Sequence, residues 1–112
     1  MNIINSSPGE QVTFFLELKD GYGVRIDSVT LPVVSRIVLP SLNLAANYPQ
    51  GMIKISDGLY YYKFTLPIGA SAVGSYLAEV EYTNPTNNIL NIESYHIIVS
   101  APYGNFTASI GV

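Results

Sequence analysis

Hydrophobic positions in this chain recur at every second residue, and turn-forming residues interrupt them at short intervals. Between residues 11 and 18, Val12, Phe14, Leu16 and Leu18 share one face, while Gln11, Thr13, Phe15 and Glu17 share the other. Side chains of an extended chain alternate between faces, so this spacing predicts a strand with one buried side. Asp20-Gly21-Tyr22-Gly23 then supplies a turn, residues 24–26 resume an extended run, and residues 33–39 read as a strand bracketed by Pro32 and Pro40. Residues 41–51 read as a loop or a ragged edge strand, and residues 52–55 as a short strand before the Asp57-Gly58 turn. Alternation returns at residues 59–66, with Tyr60, Tyr62, Phe64 and Leu66 facing inward. Residues 76–83 follow, with Tyr76, Ala78, Val80 and Tyr82 inward. After the turn at Asn84-Pro85-Thr86-Asn87-Asn88, residues 92–100 point Tyr95, Ile97 and Val99 inward. No segment sustains a helical period.

Six or seven short strands with frequent turns predict an all-β fold, an antiparallel two-sheet sandwich. Its expected core is Val12, Phe14, Leu16, Tyr62, Phe64, Tyr76, Val80, Tyr82 and Ile97. The length of 112 residues suits one domain. The sandwich is expected over residues 1–100, with residues 101–112 as a tail or an extra edge strand. That tail has no charged side chain yet carries Tyr103, Phe106, Ile110 and Val112. Solvated tails are rich in charge and poor in aromatics, so it is expected to dock on its own sandwich or on a neighbouring subunit.

Several local patterns together resemble the immunoglobulin-like domains of bacteriophage virion proteins and some surface adhesins. They are Pro8-Gly9-Glu10-Gln11-Val12 leading into the first long strand, Lys19-Asp20-Gly21 at its end, and a strand closing on Pro40. Met52-Ile53-Lys54-Ile55 then precedes Asp57-Gly58-Leu59-Tyr60, and Leu66-Pro67 precedes Gly74-Ser75-Tyr76-Leu77-Ala78. The resemblance covers about Pro8 to Val99. It implies an immunoglobulin-like sandwich with Tyr76 as a tyrosine corner, ring buried and hydroxyl bonded to nearby backbone. The chain departs from antibody domains in having no Cys and no Trp, which sets immune-receptor roles aside.

Charge sharpens the functional side. Only 12% of residues are charged, about half the usual ~25% share, so part of the surface is expected to be covered in an assembly. The net charge is −3, and Lys19, Arg25, Arg36, Lys54 and Lys63 are scattered. Nucleic-acid binding uses clustered cations, so none is expected. The N-terminal stretch has neither the basic nor the apolar region of a secretion signal, and no run is long enough to cross a membrane. Synthesis in a host cytoplasm is the expectation, with no membrane partner.

Candidate chemistry is sparse. His96 lies on a strand between Tyr95 and Ile97, without a nucleophile elbow or an activated Cys in the chain, and is expected to face outward. Glu79 and Glu81 share a strand face. Paired carboxylates can bind Ca²⁺, but Ca²⁺ draws 6–8 oxygens from loops, so a surface ion pair with Arg36 is the simpler expectation. Asp20 and Asp57, each before Gly, read as turn residues rather than ligands. Of Tyr60-Tyr61-Tyr62 only Tyr61 faces outward, which is no sugar platform. The two glycosylation sequons, at Asn5 and Asn105, read as chance without a secretion signal. No catalytic, cofactor or metal residues are assigned.

If residues 33–39, 76–83 and 92–100 form neighbouring strands, Val34, Val38, Leu77 and Ile98 stand on one outer face among Arg36, Glu79, Glu81 and His96. With Tyr103, Phe106 and Ile110 they form the expected partner interface. The functional expectation is a non-enzymatic virion structural protein, a capsid decoration or tail-associated component binding a phage capsid or tail protein, or copies of itself. The alternative is a carbohydrate-binding or adhesin module of a larger secreted protein; a small enzyme subunit is the weakest of the three.

Overall fold

The structure, a computed structural model, describes residues 2–101. Eight strands follow one another: β1 (Asn2–Ser6), β2 (Gln11–Glu17), β3 (Val33–Val38), β4 (Gln50–Gly51), β5 (Ile53–Ser56), β6 (Leu59–Thr65), β7 (Gly74–Thr83) and β8 (Leu90–Val99). A 3₁₀ turn at Ala70–Ala72 precedes β7. One sheet has the order β1-β8-β7-β3-β4 and the other β2-β6-β5. Neighbours run antiparallel except β1, which lies parallel to β8. Two facing sheets in this order make the all-β two-sheet sandwich that the strand pattern predicts. The tail at residues 102–112, with the expected interface residues Tyr103, Phe106 and Ile110, lies outside the described residues.

Inward-facing positions of both sheets build the core. Phe14, Val34, Ile37, Ala78, Val80 and Ile97 are completely buried. Phe14 stacks on Tyr95 at 5.1 Å between ring centroids and on Tyr62 at 6.2 Å, joining the sheets through aromatic contact. Tyr62, Phe64 and Tyr82, expected in the core, are only half buried and pack on it from the margin. There the Tyr62 hydroxyl meets that of Tyr48 at 2.8 Å, so its polar end is satisfied in a part-buried position. The tyrosine corner is present: Tyr76 is buried and its hydroxyl donates to the Ala72 carbonyl at 2.8 Å.

Residues 24–26 form no strand. Asp20 accepts from the amides of Tyr22 and Val24, which curls the chain into a tight loop and leaves one bridge, Lys19 to Arg25. The loop packs against Gly58, which has φ +70°. A Cβ there would stand 2.7 Å from the Leu18 carbonyl oxygen and 2.8 Å from the Ile26 backbone, so glycine is required on both counts.

A β-bulge interrupts strict alternation in β3. Val34 pairs with Val80, but Arg36 pairs with Glu79, so Ser35 is an extra residue. Its hydroxyl donates to the Glu79 carbonyl. The bulge lets both Val34 and Ile37 face the core, and Val34 is 0% exposed. The expectation that Val34 lies on the outer face is therefore corrected.

Candidate functional site

The outer face of the five-stranded sheet is organised in rows by strand register. Leu44 bridges Val38, Val38 opposes Leu77, Leu77 opposes His96, and His96 opposes Ile3. Cross-strand partners lie on the same face, so these five side chains form one row across the sheet. Ile3 and Leu44 at its ends are 65% and 60% exposed. Val38, Leu77 and His96 are half buried between them. Ile98 stands in the adjacent row, flanked by Ser75 and Asn5. On the other side runs a polar row of Arg36, Glu79 and Ser94.

Arg36 and Glu79 form the expected ion pair, with Nε of Arg36 donating to the carboxylate. The Glu79 carboxylate holds the guanidinium above its ordinary range. This pair neutralises itself and presents no net charge to a partner. Glu81 faces the same way, opposite Val33 and Ile92. Three of the four described interface residues, Val38, Leu77 and Ile98, are thus brought together. Val34 is not.

Ile3 and Leu44 escaped sequence reading. Ile3 belongs to β1, whose partner β8 lies at the opposite end of the chain, and Leu44 reaches the sheet by an isolated bridge from a loop. The only local signal for β1 was Ile3-Ile4 between polar residues.

The turn aspartates are structural in their contacts. Asp20 is occupied by its turn amides, and Asp57 approaches Lys54 at 3.3 Å. The carboxylate that gathers most partners is Asp27, which sequence reading did not single out. It accepts from Lys54 Nζ and the Gly58 amide, both at 2.7 Å, and from the Tyr60 hydroxyl at 3.4 Å. Lys54 first and the Gly58 amide second hold its carboxyl below the usual carboxylate range. Glu17 is lowered likewise, chiefly by Arg25. Among the described residues, no three His, Asp or Glu side chains converge as metal ligands. His96 has Leu77 and Ile3 as its cross-strand neighbours, so no carboxylate directly opposes it to orient the imidazole.

On the smaller sheet, Tyr61 faces outward as alternation predicts, but it has company. Phe15, 57% exposed, opposes it on β2, and Ile53, 54% exposed, opposes it on β5. That row is set by the pairing of β6 with β2 and β5, which local spacing does not carry.

No family model matches the chain, and no curated protein matches it.

Proposed function

We propose that this chain is a non-enzymatic structural protein of a bacteriophage virion that packs the outer face of its five-stranded sheet against a capsid or tail protein. The observation that carries the proposal is the row from Leu44 through Val38, Leu77 and His96 to Ile3. An apolar band beside an internally neutralised ion pair suits a protein partner, because burying the band releases water and the two charges of the pair already offset one another. The immunoglobulin-like sandwich, the low charged fraction and the resemblance to virion domains support the same reading.

The test uses particles of the phage that encodes the chain. The chain should co-purify with them through a density gradient. Leu77→Asp should remove it from them while its melting temperature stays within about 3 °C of wild type, as expected of a substitution outside the core. Retention of Leu77→Asp on particles rejects this face as the interface. Absence of the wild-type chain from particles rejects the virion role.

One observation favours the second reading, a carbohydrate-binding or adhesin module: Phe15 and Tyr61 lie side by side on the smaller sheet. Saturable quenching of tyrosine fluorescence by soluble oligosaccharides, lost in Phe15→Ala, would put that reading first.

A further inference from the structure

The backbone of β2 carries a second surface, independent of the sheet face. The Leu66 amide donates to the Glu10 carbonyl and the Leu18 amide to the Gly58 carbonyl, each at 2.8 Å. These bonds frame the β2–β6 ladder, in which partner numbers keep a constant sum from Gln11↔Thr65 to Glu17↔Leu59. In an antiparallel ladder alternate residues bond to the partner, so Val12, Phe14 and Leu16 are spent on β6. The amides and carbonyls of Gln11, Thr13, Phe15 and Glu17 point the other way. Among the described residues no strand pairs there. Among the described residues, the one group on that side is the Tyr95 hydroxyl, donating to the Phe15 carbonyl. A carbonyl has a second lone pair free for another donor.

This edge differs from the others in the molecule. The free edges of β1 and β4 span five and two residues. β5 spans four, carries Lys54 and is bulged between Lys54 and Ser56. Short strands, lysines and bulges are the usual protections of an unpaired edge. β2 is seven residues long and regular, with neither Pro nor Lys. Its outward side chains, Gln11, Phe15 and Glu17, are exposed.

We propose that two copies of this chain associate through their β2 edges, antiparallel about a two-fold axis at Phe14, joining their smaller sheets into one continuous sheet. This register pairs the whole strand: Gln11 opposes Glu17 of the second copy, and Thr13 opposes Phe15. It sets a side-chain amide donor against a carboxylate at both ends, and no like charges meet. Glu17 is already partly neutralised by Arg25 at 2.7 Å and Lys19 at 3.5 Å. Two-fold pairing is self-complementary by construction, because each strand supplies the partner of the other. The match of Gln11 with Glu17 at both ends of that register is what makes a second copy the occupant.

The test uses the full chain. Sedimentation across a concentration series should show a monomer–dimer equilibrium. Amide exchange at Thr13, Phe15 and Glu17 should slow as the dimer forms. Thr13→Pro removes an outward amide that β6 does not use, so the variant should stay monomeric with its fold retained. Gln11→Glu places carboxylates opposite Glu17 at both ends and should weaken the dimer roughly fivefold, whereas Gln11→Lys should tighten it by a similar factor. These two exposed substitutions decide the matter should Thr13→Pro fail to fold. A chain that stays monomeric at every concentration overturns the proposal. So do slow-exchanging amides on a monomer, which would mean that the chain covers its own edge. A dimer indifferent to the Gln11 variants but dissolved by Leu77→Asp also overturns it, while leaving the sheet-face reading intact.

Discussion

A buried tyrosine ring contributes as much apolar contact as phenylalanine, but its hydroxyl must find a partner when water is excluded. The chain has 9 tyrosines and no Trp, and the tyrosines of the core obey this rule. Tyr76 donates to Ala72, Tyr95 to Phe15, Tyr60 approaches Asp27 and accepts from the Ser28 amide, and Tyr48 meets Tyr62. Among the described residues, no buried side-chain nitrogen or oxygen lacks a partner. Each hydroxyl thus ties a ring inside the core to a loop or a neighbouring strand. The Tyr76 contact gives the sharpest test, because Ala72 is completely buried and its carbonyl would lose that donor. Tyr76→Phe should cost about 1–3 kcal/mol in chemical denaturation, the range for stranding a buried acceptor. A loss below about 0.5 kcal/mol would mean that the corner is packing alone. The position of Tyr76 at a corner was legible in Gly74-Ser75-Tyr76, whereas the partner of Tyr60 was not: nothing around Asp27 in the sequence announces it.

Elements were legible where period two runs unbroken. β2, β6, β7 and β8 keep strict alternation, and their inward residues face the core as the spacing predicts. The alternation said less about depth: Tyr62, Phe64 and Tyr82 face inward yet lie at the margin, since period two sets the face of a residue and not how far the opposing sheet covers it. β3 broke the inference, since Ser35 changes the phase between Val34 and Arg36 and no glycine marks the bulge. Two aspartates separate the two phases experimentally. Val34→Asp buries an unpaired carboxylate at a completely buried site and should cost about 3 kcal/mol or more, enough to unfold a marginal domain. Val38→Asp faces outward and should leave the melting temperature within about 3 °C of wild type. Strict alternation makes the two positions equivalent, so equal losses would remove the bulge. β1 was missed for a different reason: a short strand held parallel at a sheet edge takes its stability from β8, not from its own five residues. The candidate interface inherits both errors, losing Val34 to the core and gaining Ile3 from β1.

At the scale of the whole molecule, the ionisable groups divide into two sets with opposite consequences for stability against pH. Tyr48 and Tyr95 are pushed well above the ordinary 10.0, in both cases first by burial; Tyr48 is raised further by the Tyr62 hydroxyl and Tyr95 by nearby Glu93. Tyr60 and Tyr76 are raised as well, again by burial. Above pH 10 the unfolded chain therefore releases phenolic protons that the folded chain keeps. The unfolded state then binds fewer protons, so stability falls as pH rises, having been fully present below 10. Glu17 and Asp27 act in the opposite sense, lying below their ordinary 4.5 and 3.8. Their contribution is present above those values and is lost as pH falls through the folded ones. Both carboxylates belong to solvent-exposed ion pairs, where screening leaves little net energy. The tyrosines are anchored across both sheets, so their loss strikes the core. Denaturation midpoints should therefore be flat from about pH 5 to 9, decline gently into acid, and fall more steeply above pH 10. Tyr95→Phe removes one of the two strongly raised phenols and should flatten the alkaline limb while lowering the plateau. Tyrosinate absorbance should show the same groups titrating later in the folded chain than in denaturant. An acid limb steeper than the alkaline one would mean that surface carboxylates, not the tyrosine-tied core, set the pH limits of this fold.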